Sequence, residues 1–414
     1  MEKRKSVRAA FGFVCSLMLF LIITVLLVNK FRFLNEKEKQ IEIKPEEYVL
    51  DSPRQAFSAV LEDSLLGIDN PNTNFAYLQL SEEEKATYKQ IASAVCRFEE
   101  RVEIAYSDNL AKVYRAVLMD HPEYFWVDEA YVAWGNIMTQ SVHFIELSFN
   151  SGRIEKAWNQ YQIDTAVEQC VSQIAKQASD YEKVKYVYEY VIKNVDYVDN
   201  STQNQNIQSV FLNHESVCAG YAKATQLLLN KLNIFSTYIV GTAKTDQASF
   251  AFPNEQFGHA WNLVQVEGEY YYVDTTWGDP VFSKEAFHED DVSYDYLCIT
   301  TEELLRSRDI DEAFEVPLCS AVTYNYYVQE QKYLENFQEE EFIKAIKKEI
   351  TEGQYGIAYK FATQDVYKEA FRSLFEERKI EDVAQYYLRK TGRHSCNYFY
   401  IEDEQIYTLK ILLQ

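Results

Sequence analysis

The chain has 414 residues, a formal net charge of −23 and 47% hydrophobic residues, with only 12 glycines and 7 prolines. That length is two or three times an ordinary domain, so more than one core is expected, and the composition excludes a disordered or collagen-like chain. The negative charge excludes sequence-independent affinity for nucleic acid, whose phosphates it would repel.

Residues 1–8 are basic, with Lys3, Arg4, Lys5 and Arg8. The following "AAFGFVCSLMLFLIITVLLVN", Ala9–Asn29, has no formally charged residue and is long enough as a helix to cross the hydrocarbon core. No small-residue A-x-A pattern follows it, so an uncleaved single-pass signal anchor is expected rather than a removed signal peptide. Lys30, Arg32, Lys37 and Lys39 follow the span, so the Lys and Arg count is nearly balanced. A short basic tail before a first span is expected to stay in the cytoplasm, which puts the rest of the chain outside the cell. The alternative is a cytosolic body tethered to the inner leaflet. Residues 30–54, charged and proline-punctuated, form an expected stalk.

From 55 to 155 an N-terminal α+β domain is expected. "LSEEEKATYKQIASAVCRFEERV" opens with Ser81 and Glu84 in capping-box spacing, and a second helix, "SDNLAKVYRAVLMD", stops before Pro122. "AYVAWGNIMTQSVHFIELSFN" predicts a hairpin turning at its Gly-Asn pair. In residues 156–322 a helix capped by Ser179 and Glu182 precedes the polar "DNSTQNQN" loop. There follow the helix of "SVCAGYAKATQLLLNKL", a strand "STYIVGTA" and the hairpin "HAWNLVQVEGEYYYVDTTW". Helix first and antiparallel strands after predict an α+β fold with the helix packed on the sheet. Residues 323–414 predict a small α/β domain: a strand "YGIAYKF", a helix capped by Thr363 with Val366, Ala370, Phe371 and Leu374 inward, and two strands around an acidic turn.

Six cysteines lie beyond the span, none in C-x-x-C spacing, so neither a zinc site nor a dithiol redox pair is expected. Only Cys298 and Cys319, flanking one acidic segment, suggest a disulfide. Nor is there an EF-hand pattern, and no cofactor or metal is expected. Cys218 is different, because it falls where a helix begins. A helix N-terminus directs unpaired N–H groups and partial positive charge at a thiol, and the same groups can hold an oxyanion. Ser216 or Glu215 would cap that helix, and Gly220 would leave room for a substrate backbone beside the thiol. A free cysteine in such a helix is otherwise a packing residue.

Of six histidines, His121, His143, His214, His288 and His394 fall at helix ends, in a hairpin or in loops, whereas His259 begins a strand. If Glu267 and Gly268 form a two-residue turn, Val266 faces Glu269, His259 faces Thr276 and Asp274 faces Trp261. His259 and Asp274 then share one sheet face as diagonal neighbours, close enough for an imidazole–carboxylate hydrogen bond. A thiol, a base and an orienting carboxylate in that order form a catalytic triad.

The segments "SVCAGYAKATQLLLNKL", "FGHAWNLVQVEGEYYYVDTTWGDP" and "YDYLCITTEEL" resemble the core motifs of the transglutaminase-like superfamily, in its bacterial membrane- or wall-associated branch. The resemblance runs from about Asp180 to Cys319, and "YLQLSEEEKATYKQI", "HPEYFW" and "PLCSAVTYNYY" look more loosely like flanking regions of such proteins. It implies a papain-like core with a cysteine, histidine and aspartate triad, which falls on Cys218, His259 and Asp274. The family's further oxyanion donor falls on Gln208 or, alternatively, Asn213. Trp261 and Trp277, with Gly220 and Tyr221, would line the cleft. The expectation is a cell-surface thiol acyltransferase or hydrolase acting on peptide amides or glutamine side chains of an envelope peptide or protein. The alternative is a catalytically silent fold serving as a binding or scaffold module.

Overall fold

The computed structural model describes residues 74–106, 108–136, 141–244, 256–279 and 292–414. The expected anchor 9–29 and stalk 30–54 lie outside them. Among the described residues, no helix is long and apolar enough to cross a membrane.

Helix α1 (Glu82–Arg97) starts on the expected capping box: Ser81 Oγ accepts from the Glu84 N–H, and the Glu84 carboxylate accepts from the Ser81 N–H. Strand β1 (Arg101–Glu103) and helix α2 (Leu110–Asp120) follow, then β2 (Val127–Asn136) and β3 (Ser141–Phe149), in an antiparallel sheet of order β1-β3-β2. The expected hairpin is present, but Gly135 and Asn136 are not its turn. They close β2, paired with Val142 and Ser141. A Cβ on Gly135 would lie 2.0 Å from the Ser141 carbonyl oxygen, so close strand approach is the reason for the glycine.

Helix α3 (Arg153–Ser172) leads to α4 (Asp180–Asn194), capped by Ser179 and Glu182 as expected. Two short strands, β4 (Asp196–Tyr197) and β5 (Glu215–Ser216), pair in parallel and bracket the polar loop. Helix α5 (Cys218–Lys231) is buried continuously from Ala219 to Leu229, because it packs on the sheet on one side and meets the N-terminal elements on the other. Gln226 Nε2 donates to the Met119 carbonyl of α2, and Lys223 pairs with Glu129 of β2 at 2.5 Å. A helix buried all round shows no strong amphipathic stripe.

The main sheet has the order β10-β6-β7-β8-β9, antiparallel throughout: β6 (Ser236–Lys244), β7 (Gln256–Val266), β8 (Glu269–Val273), β9 (Leu297–Ile299) and β10 (Arg308–Ile310). Glu267 and Gly268 form the two-residue turn, both with positive φ (50° and 92°), and Val266 faces Glu269 as predicted. The register runs as far as Asn262 opposite Val273. There the strand ends, and Asp274 becomes the N-cap of a one-turn helix α6 (Thr275–Gly278). Thr276 therefore does not face His259 in a ladder; Gly241 of β6 does. One continuous apolar core links residues from Ala76 to Cys319.

After a capped one-turn helix α7 (Thr301–Leu305) and a short α8 (Tyr326–Gln329), residues from Phe342 to Leu413 enclose a second core. Its sheet has the order β11-β12-β14-β13, with β11 (Tyr333–Leu334) parallel to β12 (Gly356–Phe361) and β14 (Thr408–Leu413) antiparallel to both β12 and β13 (Tyr398–Asp403). Helices α9 (Glu339–Thr351), α10 (Gln364–Phe371) and α11 (Ile380–Thr391) complete it. Thr363 caps α10 as expected, and Tyr367 adds to the inward face. Cys298 and Cys319 are both buried free thiols, so the suggested disulfide is absent.

Candidate active site

Cys218 is the first residue of α5 and is half-buried. Neither expected residue caps its helix. The N-cap is Val217, whose side chain offers no acceptor, and Ser216 Oγ is committed elsewhere, 2.7 Å from Ser209 Oγ and 3.0 Å from the Asn204 carbonyl it donates to. The N-cap residue thus leaves the first N–H groups of α5 to other acceptors. The same serine explains Gly220: a Cβ there would lie 1.9 Å from Ser216 Oγ. Gly220 therefore makes room for the loop and not for a substrate, correcting the cleft-lining expectation. Tyr221 is also a structural residue, fully buried, with its single O–H in reach of two acceptors, the Val195 carbonyl (2.6 Å) and Asp279 Oδ2 (2.8 Å).

His259 enters from β7 and is buried. Its Nε2–H donates to Asp274 Oδ2 at 2.8 Å, which leaves Nδ1 as the ring nitrogen for the Cys218 thiol, a hydrogen-bonding partner of the imidazole. Burial would lower the pKa of His259, but the charge and hydrogen bond of Asp274, then the contact with Cys218, raise it to about 9. Asp274 is also buried, and its Oδ1 accepts from the Trp277 N–H at 3.1 Å. Burial would raise its pKa; the charges of His259 and Arg308 and these hydrogen bonds instead hold it at about 2.

Arg308, not anticipated from the sequence, completes the cluster. It comes from β10 at the opposite edge of the sheet, is fully buried, and donates to Asp274 Oδ2 from Nε (3.1 Å) and Nη2 (2.5 Å). Its guanidinium lies over Tyr296 (4.4 Å) and Trp277 (4.8 Å). One carboxylate thus carries two cationic partners. Trp261 and Trp277 are buried against the imidazole, with ring centroids 5.7 and 6.2 Å from it, so they fix His259 and do not wall an open cleft.

The expected oxyanion donors fare differently. Asn213 is exposed, and its amide donates to the Thr202 carbonyl. Gln208 opens a π-helical turn (Ser209–Asn213), and its Oε1 is buried with no partner among the described residues. The residue at the thiol is Tyr197 of β4, also not anticipated: its phenol oxygen accepts from the Cys218 backbone N–H. Of the other histidines, His121 is buried beside Glu123 at 2.8 Å, His143, His214 and His394 are exposed, and His288 lies outside the described residues. Among the described residues, no group of three or more His, Cys, Asp and Glu could hold a metal ion.

Residues 168–275 match the family described as the transglutaminase-like superfamily. The kyphoscoliosis peptidases of Mus musculus and Homo sapiens are 25% and 26% identical to the chain over 134 and 135 residues, covering 30% of this chain and 20% of theirs. The match therefore spans about a fifth of the length of those relatives. Among solved structures, a TGase is 16% identical with a TM-score of 0.24, covering 33% of this chain and 42% of that one. The periplasmic domain of TgpA from Pseudomonas aeruginosa is 15% identical with a TM-score of 0.21, covering 33% and 56%. Within its mixed α+β fold, the chain carries a transglutaminase-like superfamily domain.

Proposed function

We propose that the chain is a thiol-dependent acyltransferase or hydrolase acting on peptide amides or glutamine side chains, anchored through residues 9–29 with its catalytic region outside the cell. The observation that carries this reading is the buried chain of contacts from the Asp274 carboxylate through His259 to the thiol of Cys218.

In the first step the Cys218 thiol passes its proton to His259 Nδ1, the sulfur attacks the amide carbonyl, and the π electrons move to the carbonyl oxygen. The Cys218 N–H at the start of α5, which the Tyr197 phenol oxygen meets in the free protein, would donate to that oxygen. As the intermediate collapses, the C–N bond breaks and His259 gives its proton to the leaving nitrogen, forming a thioester and a free amine or ammonia. His259 suits this step because Asp274 keeps its proton in place at neutral pH. Water or an amine then attacks the thioester and gives its proton to His259, and the C–S bond breaks, releasing the acyl product and returning Cys218 as its thiolate. Arg308 holds Asp274 ionised, so the carboxylate orients the imidazole and takes no proton itself.

Incubating a glutamine-containing peptide with a labelled amine separates the branches: covalent incorporation marks a transferase, and release of ammonia or peptide cleavage alone marks a hydrolase. Neither product with wild-type protein, with Cys218→Ala indistinguishable from it, would leave the scaffold role.

A further inference from the structure

An oxyanion needs two donors to be held firmly, and Cys218 supplies one through its backbone N–H. The Gln208 Oε1 has no hydrogen-bond partner among the described residues, and the Asn213 amide is spent on Thr202. The group that does meet the Cys218 N–H belongs to Tyr197.

Its position follows from the backbone. Strand β4 lies parallel to β5 with Tyr197 opposite Ser216, fixed by the Asp196 N–H to the His214 carbonyl (2.8 Å) and the Val198 N–H to the Ser216 carbonyl (2.9 Å). Two residues after Ser216 the chain reaches Cys218, so the pairing brings Tyr197 to the start of α5, where its phenol oxygen meets the Cys218 N–H. Its ring centroid is 6.2 Å from that of Tyr221, which is itself bonded to the Val195 carbonyl. The phenol therefore projects from a braced strand. Burial first, and then the neighbouring negative groups, push its pKa up, so it keeps its proton at neutral pH and stays a donor.

We propose that the Tyr197 hydroxyl is the second oxyanion donor, acting with the Cys218 backbone N–H on the tetrahedral intermediate. This rests on the thiol-acyl reading of the site. In the free protein the phenol oxygen occupies the N–H. When the carbonyl oxygen of the substrate takes that N–H, the hydroxyl turns its O–H to the same oxygen and donates without being deprotonated.

The test compares Tyr197→Phe with the wild type in three measurements. With a glutamine-containing peptide, kcat falls about 10²- to 10³-fold while KM stays within about threefold, the size expected for losing one oxyanion donor. Affinity for a peptide aldehyde, whose hemithioacetal oxygen occupies the oxyanion position, falls about 100-fold on the same grounds. The rate of Cys218 alkylation by iodoacetamide, a displacement that forms no oxyanion, stays within about twofold. An unchanged or increased kcat with unchanged aldehyde affinity would overturn the assignment and make Tyr197 a plug on the N–H. A wild-type Cys218 that reacts with neither aldehyde nor iodoacetamide would instead overturn the thiol-acyl reading beneath it.

Discussion

Two regions of this chain bury clusters of charge, and only one of them is built like an active site. Between the main sheet and the C-terminal domain, Lys410 Nζ lies 2.6 Å from Asp295 Oδ2, Tyr327 donates to Asp295 Oδ1 at 2.5 Å, and Lys360 pairs with Glu303 at 2.8 Å. Every charge there has a partner within the cluster. Around Asp274 the arrangement is open at one end: Arg308 and His259 share the carboxylate, but the second nitrogen of His259 meets a half-buried thiol. Burial and ion pairing alone do not mark a site. The distinguishing feature is a chain of hydrogen bonds that ends on a half-buried thiol.

The comparison can be broken most sharply at the open end. Cys218→Ala and His259→Ala should each remove turnover by about 10⁴-fold or more, as for residues that act as one unit, with the double variant no worse than either single one. Additive losses would mean that the two do not work together. Next, Arg308→Met should leave a buried carboxylate with His259 as its one remaining cationic partner among the described residues. A loss of about 3–5 kcal/mol in unfolding free energy, of the order for breaking a buried pair, should accompany a fall in kcat. In the closed cluster, Lys410→Met should cost a similar 3–5 kcal/mol yet leave kcat per folded molecule within about threefold, because Asp274 is held by Arg308 and the Trp277 N–H. A large kcat loss there would make the C-terminal domain part of the catalytic machinery.

A smaller effect follows from pH. The folded pKa of His259, about 9, lies above its ordinary 6.5, so its contribution is fully present below about pH 6.5 and is lost as pH rises through 9. The shift corresponds to about 3 kcal/mol, read as falling denaturation midpoints across that window. Asp274 runs the other way: held at about 2 against 3.8, it stabilises above about pH 4 and loses that contribution as pH falls through 2. The smallest change is expected outside both clusters. Ile154, 89% exposed on α3, should tolerate Ser within about 0.5 kcal/mol by denaturant titration.

The legible parts of the site were the local ones. A cysteine at a helix start, a histidine on a strand and an aspartate across a two-residue turn are all spaced by rules that act over a few residues, and the β7–β8 register follows the predicted alternation as far as Val273. Long-range contacts left no such trace. Arg308 lies 34 residues from Asp274 and on a three-residue strand, too short for periodicity to place its side chain. Tyr197 reaches Cys218 through a parallel ladder of two residues. Ser216 does not cap α5 for the same reason: its hydroxyl is claimed by Ser209 and Asn204 across a folded loop. Gly220 and Tyr221, close to Cys218 in sequence, serve that loop and the core.

The central claim is that His259, oriented by Asp274, activates Cys218. It is tested most directly by mass-spectrometric mapping of iodoacetamide incorporation at each cysteine across pH 5–10, in wild type and His259→Ala. Exposed Cys96 serves as the internal reference. The account predicts that Cys218 is labelled at neutral pH well ahead of Cys96, and that His259→Ala abolishes this lead. Labelling of Cys218 no faster than Cys96 at neutral pH, or a lead that survives His259→Ala, would contradict it.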